Sequence, residues 1–122
     1  MFSDFHDAAG QPLQANLDAL GVTPEAYVGL LHFYDGSSQR RCASGEVLGG
    51  TVPGSHVIYV CPVQFFEADR NDKRATETFI IHETLHSLGL GENPPASREI
   101  DWAVMDRCRE RRSMTRSVRA PR

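Results

Sequence analysis

His82, Glu83 and His86 form an H-E-x-x-H arrangement within residues 80–92. Histidines four residues apart share one helical face, separated by about 6 Å along the axis. Both imidazoles can then reach one ion at about 2.0–2.1 Å, which suits Zn²⁺. Glu83, one helical step away, stands beside such a metal, where it can take a proton from an activated water. Glu92 follows Gly89 by three residues, so a turned chain would bring a carboxylate back as the third ligand. The same triplet also arises by chance on amphipathic helices, so the surrounding elements must decide.

Those elements favour the metal reading. Ile81, Leu85 and Leu88 recur at the four- and three-residue spacing of a packed helix, and Phe79 precedes them by two residues. Asn71 or Asp72 can cap its start, and Gly89 can end it, because glycine reaches the left-handed conformation without a Cβ clash. Pro94 and Pro95 prevent the helix from continuing.

Taken together, His82-Glu83-x-x-His86-x-x-Gly89-x-x-Glu92 resembles the extended H-E-x-x-H-x-x-G-x-x-H signature of metzincin-type zinc metallopeptidases. The run 88–95 is similar to that of uncharacterised bacterial zincin-like proteins. The resemblance implies zinc held by His82, His86 and Glu92, with Glu83 as the general base. Glu92 departs from the usual His or Asp, but His₂Glu sites are known zinc chemistry. Glu99 and Asp101 are the reserves for the third position, since a glutamate on a later helix completes some zinc peptidase sites. The resemblance also implies an edge strand above the site that binds an extended substrate by backbone pairing.

The 122 residues suffice for one domain with a modest core, at 40% apolar and 24% charged content. We assign residues 1–110 to a single zincin-like metallopeptidase domain and 111–122 to a basic, disordered tail. Residues 1–106 carry a net charge of −9 and residues 107–122 one of +6. The tail alone offers nucleic acid or an anionic surface any attraction, and a solvated chain end is the simpler reading. No run approaches the roughly 20 apolar residues of a membrane span. The N-terminus has no basic or apolar signal region, so the expectation is a cytoplasmic protein, or an exported one if the true start lies upstream. Cys42 and Cys61 flank an apparent hairpin. A disulfide there suits export but leaves Cys108 odd, whereas free thiols suit a reducing compartment.

Along the chain, residues 1–10 read as polar and loose. Leu13, Leu17 and Leu20 give a short helix closed by Gly21. Thr23, Pro24 and Glu25 start a brief turn, after which residues 27–34 read as a strand. Glycines 45, 49 and 50 allow only a short or bulged strand. Residues 56–61 are the clearest strand, and 67–72 read as an acidic loop. Ser97 opens a closing helix with Ile100, Ala103 and Val104 inward and Trp102 at the margin. The expected class is α+β: a short mixed sheet packed on the H-E-x-x-H helix, with a C-terminal helix.

His32, His56, Tyr34 and Tyr59 read as ordinary strand residues, Arg98 as solvated and Met105 as core. Phosphate-loop and serine-hydrolase motifs are missing from the sequence. The function expected is zinc-dependent hydrolysis of peptide bonds in a peptide or protein substrate, by a metal-activated water with Glu83 as base. The alternative is a non-catalytic zinc-binding interaction domain, a degenerate protease.

Overall fold

The computed structural model describes residues 1–119 in backbone and residues 1–109 in side-chain placement. Within these residues the protein is α+β, with six α-helices and a small three-stranded mixed sheet. After a 3₁₀ turn at Phe2–Asp4, the order is α1 Leu13–Leu20, α2 Pro24–Leu30, β1 His32–Asp35, α3 Arg40–Ala43 and β2 Gly49–Gly50. It continues with β3 Val57–Val60, α4 Pro62–Asn71, α5 Lys73–Ser87 and α6 Ser97–Arg119.

Local signals explain most boundaries. Gly21 ends α1 in the left-handed conformation, at φ 70°. The Thr23 side chain accepts from the Ala26 N–H and Pro24 takes the first helical position. That start proved stronger than the strand formers after it, so 24–30 is helix and the strand begins only at His32. The expected acidic loop at 67–72 is instead mostly α4, with Pro62 at its first turn. The charges of 67–72 lie on or near the solvent side, while Phe65 packs edge-on against Phe79 at 5.9 Å. Tertiary packing outweighed the polar run. Asp72 caps α5, its carboxylate accepting from the Arg74 N–H at 3.0 Å.

In the sheet, β3 is central. It pairs in parallel with β1 and antiparallel with β2, giving the order β1-β3-β2. Cys42 and Cys61 form a disulfide that ties α3 to the end of β3, and Cys108 is free. Leu13, Leu17, Tyr27, Ile58, Leu85, Ile100 and Val104 form the centre of the core, each at most 1% exposed. Burying such side chains contributes roughly 1.5–3 kcal/mol each. Trp102 is exposed, as its marginal position suggests.

The first ten residues are pinned rather than loose. Asp7 forms a bridge with Leu90, and the Leu13 N–H donates to Phe5 O. Asn16 donates to Asp7 and to Leu88 O, so α1 satisfies a carbonyl at the end of α5. The segment 111–122, assigned to a basic tail, is helical in backbone as far as Arg119. Its side chains, and residues 120–122, lie outside the described residues. None of the described helices is long and apolar enough to cross a membrane.

Candidate metal centre

The last two turns of α5 are enclosed almost all round. Residues 82–87 are all buried, and Leu85 points into the core while the histidines face a cleft. Tyr27 Oη and Ser87 Oγ share a buried hydrogen bond of 2.8 Å, fixing the helix end against α2. Gly89, at φ +119°, then reverses the chain. A side chain there would be strained and would press on Asp7 Cβ at 3.2 Å. The reversal lets the Leu90 N–H reach Leu85 O and turns Leu90 O back towards His86.

Both histidines are held from behind. His86 Nδ1–H donates to Leu90 O at 2.7 Å, since a carbonyl can only accept. His82 Nδ1–H donates to Asp101 Oδ1 at 2.7 Å, across from α6. With each Nδ1 carrying its proton, both neutral rings present bare Nε2 lone pairs, and these two atoms lie 3.0 Å apart. Two acceptors at that separation repel unless a cation sits on or between them. The cation can be a proton on one ring or a metal ion on both. Two ligands of a tetrahedral zinc, each at about 2.0–2.1 Å, would stand about 3.4 Å apart, close to this spacing.

Glu83 is 6% exposed, and its Oε2 is a buried side-chain oxygen without a hydrogen-bond partner. Burial pushes its carboxyl up to about 7, opposed by His82 and Arg41 and reinforced by Glu92. Burial lowers His86 below the ordinary imidazole value, its largest effect. In His82 burial acts in the same direction but is outweighed by the Asp101 bond and the charges of Glu83, Asp101 and Glu92, so its value rises. Of the two rings, His82 is therefore the one whose surroundings favour a proton.

The third position is less assembled. Glu92 Oε1 lies 3.6 Å from His86 Nε2 with the side chain 48% exposed. No group of three or more His, Cys, Asp or Glu among the described residues is gathered closely enough to hold a metal as it stands. The donor set still fits zinc in kind, two neutral imidazoles and a carboxylate, and the imidazole pair is in place. Of the reserves, Asp101 spends its carboxylate on His82 Nδ1, which makes it a ring-orienting residue. Glu99 is exposed and does not line the cleft.

No family model, curated protein or solved structure matches this chain.

The cleft has a volume of about 1060 Å³, and its wall includes Arg41, Leu48, Gly49, His82, Glu83 and Glu92. The edge strand β2 lies along it. Side chains could not be added there without collision: a Cβ on Gly49 would meet Tyr59 O at 2.1 Å, and one on Gly50 would meet Tyr59 Oη at 2.8 Å. His32, His56, Tyr34 and Tyr59 do not line the cleft, and His56 instead packs edge-on to Tyr27 at 5.7 Å. Met105, expected in the core, is 42% exposed and lines the cleft wall. Arg98 lies over the Trp102 ring at 5.9 Å. Sequence reasoning missed the roles of Asp101 and Leu90 O, because both are set by tertiary approach. It also passed over Arg41, whose only local signal was its place beside Cys42.

Proposed function

We propose that this chain is a zinc-dependent peptidase with a zincin-like arrangement, in which His82, His86 and Glu92 hold the ion and Glu83 is the general base. The observation that carries the reading is the pair of bare Nε2 atoms, 3.0 Å apart, each ring oriented from behind by an acceptor on its Nδ1. Such outer partners are what metal-binding histidines need to keep tautomer and orientation fixed.

Zinc, when bound, supplies a Lewis acid that polarises a carbonyl and lowers the pKa of water to about 7. The chain's own residues do the rest. Glu83, whose carboxyl is pushed up to about 7 by burial in the metal-free protein, is the proton acceptor of the site. It takes the proton of the attacking water and returns it to the leaving amine. Asp101 and Leu90 O keep the two imidazoles from turning away. β2 is the edge of the sheet and lines the cleft, so it is the strand against which an extended substrate would be laid.

A second reading is a zinc-binding interaction domain without turnover, and the 3.6 Å approach of the half-exposed Glu92 favours it. Elemental analysis and a peptide-cleavage assay separate the two. Glu83→Gln should retain zinc and lose cleavage by roughly 10²- to 10⁴-fold, whereas His86→Ala should lose zinc. Zinc with no cleavage of any peptide supports the interaction domain. A protein that takes up no zinc, or a fully active Glu83→Gln, overturns the peptidase mechanism.

A further inference from the structure

Three arginines line the cleft, and two are committed to carboxylates. Arg74 Nε pairs with Asp72 at 3.2 Å and Arg109 Nη2 with Asp106 at 2.7 Å. The third, Arg41, is exposed, and among the described residues no carboxylate lies within ion-pair distance of it. It nevertheless shares the cleft with Glu83 closely enough to act on it electrostatically.

The backbone at Arg41 is also held in place. Its helix, α3, is only four residues long and would not persist alone. Cys42, the next residue, is bonded to Cys61, and Gln64 donates to Cys42 O. The Cys61 N–H in turn donates to Leu48 O, one residue before β2. Arg41 therefore stands near the Leu48 end of the edge strand, beside the end of any chain laid along it. Among the described residues, Glu46, Glu92 and Asp101 add acidic groups to the cleft wall, whereas Arg41 offers an anionic group on a substrate a cation.

We infer that Arg41 is a specificity-determining residue that binds a carboxylate of the substrate, placed at one end of the cleft by the Cys42–Cys61 disulfide. The inference rests on the peptidase reading for the identity of that substrate as a peptide. The guanidinium offers a planar fork of donors matched to a carboxylate, so glutamine or lysine in its place would lose the bidentate contact. The carboxylate can be a free C-terminus or an acidic side chain, which share this chemistry.

The test is binding to the zinc-free full-length protein, followed by fluorescence anisotropy. The probes are short labelled alanine peptides: one with a free C-terminus, its C-terminal amide, and amides carrying a single Glu or Gln. The wild-type protein should bind one carboxylate peptide about 10-fold more tightly than its neutral counterpart, as one charge-assisted contact allows. Arg41→Gln should bring that ratio close to one, and Arg41→Lys should restore part of it. Thermal melts of both variants establish that they are folded. Preference for the free C-terminus identifies the chain end as the source, and preference for Glu over Gln identifies a side chain. Equal ratios in wild type and Arg41→Gln overturn the inference. Cleavage by the zinc-loaded protein is scored separately. Arg41-dependent binding without cleavage removes the peptidase reading and leaves the carboxylate site standing; cleavage without Arg41-dependent binding does the reverse.

Discussion

Replacing Glu83 by glutamine should make the metal-free protein more stable, and only above mildly acidic pH. In the fold this carboxyl is pushed from 4.5 up to about 7 by burial, and its Oε2 has no hydrogen-bond partner. Between those two values the folded protein keeps a proton that the unfolded chain has already released. The folded state binds more protons there, so stability falls as pH rises through the window. At about 1.36 kcal/mol per unit, the shift corresponds to a loss of about 3 kcal/mol once pH is above the folded value. Glutamine has the same shape and carries no charge to bury. Urea denaturation of both proteins with a chelator, from about pH 4 to about pH 8, measures the effect. The two should be nearly equally stable at the acid end, with Glu83→Gln ahead by about 3 kcal/mol at the alkaline end. A stability gap that does not change across that range would refute the claim that Glu83 is forced into a dry site.

Asp101→Ala should leave His82 free to rotate and weaken zinc binding by about 10- to 100-fold, measured by competition with a chromogenic chelator. Unchanged affinity would mean that the Asp101–His82 bond orients nothing of consequence. The Cys42–Cys61 crosslink spans a sequence separation of 19. On the chain-entropy argument its loss in a Cys42→Ser, Cys61→Ser protein should cost about 3 kcal/mol. For a domain of this size that is about a 10 °C fall in melting temperature. Thiol titration of the denatured, unreduced protein should find Cys108 alone reactive, and three reactive thiols would remove the crosslink from the account.

Helix α5 was legible because its signals are local. Asp72 as cap, the i, i+4 histidines, the apolar stripe and the Gly89 stop all act within a few residues, where helix geometry alone fixes the outcome. The same holds for α1 with Gly21, for the strand in 56–61 and for the inward Ile100 and Val104. Reading failed where local preference was divided. Residues 24–30 carry strand formers behind a strong helix start, and 67–72 carry charges on a helix whose other face holds Phe65 against Phe79. Composition cannot choose in such cases, because the choice depends on what the segment packs against.

By itself the sequence determined which side chains could meet on one helical face and where that helix begins and ends. Only the tertiary structure decided the protonation pattern and the dryness around them. Asp101 approaches His82 across 19 residues of sequence, and Leu90 O reaches His86 only because Gly89 reverses the chain. Glu83 is raised by burial under elements distant in sequence, and Arg41 reaches the cleft wall on a helix held by a disulfide. Spacing fixes direction along a helix, but burial and the partner behind each ring depend on surfaces brought together by folding.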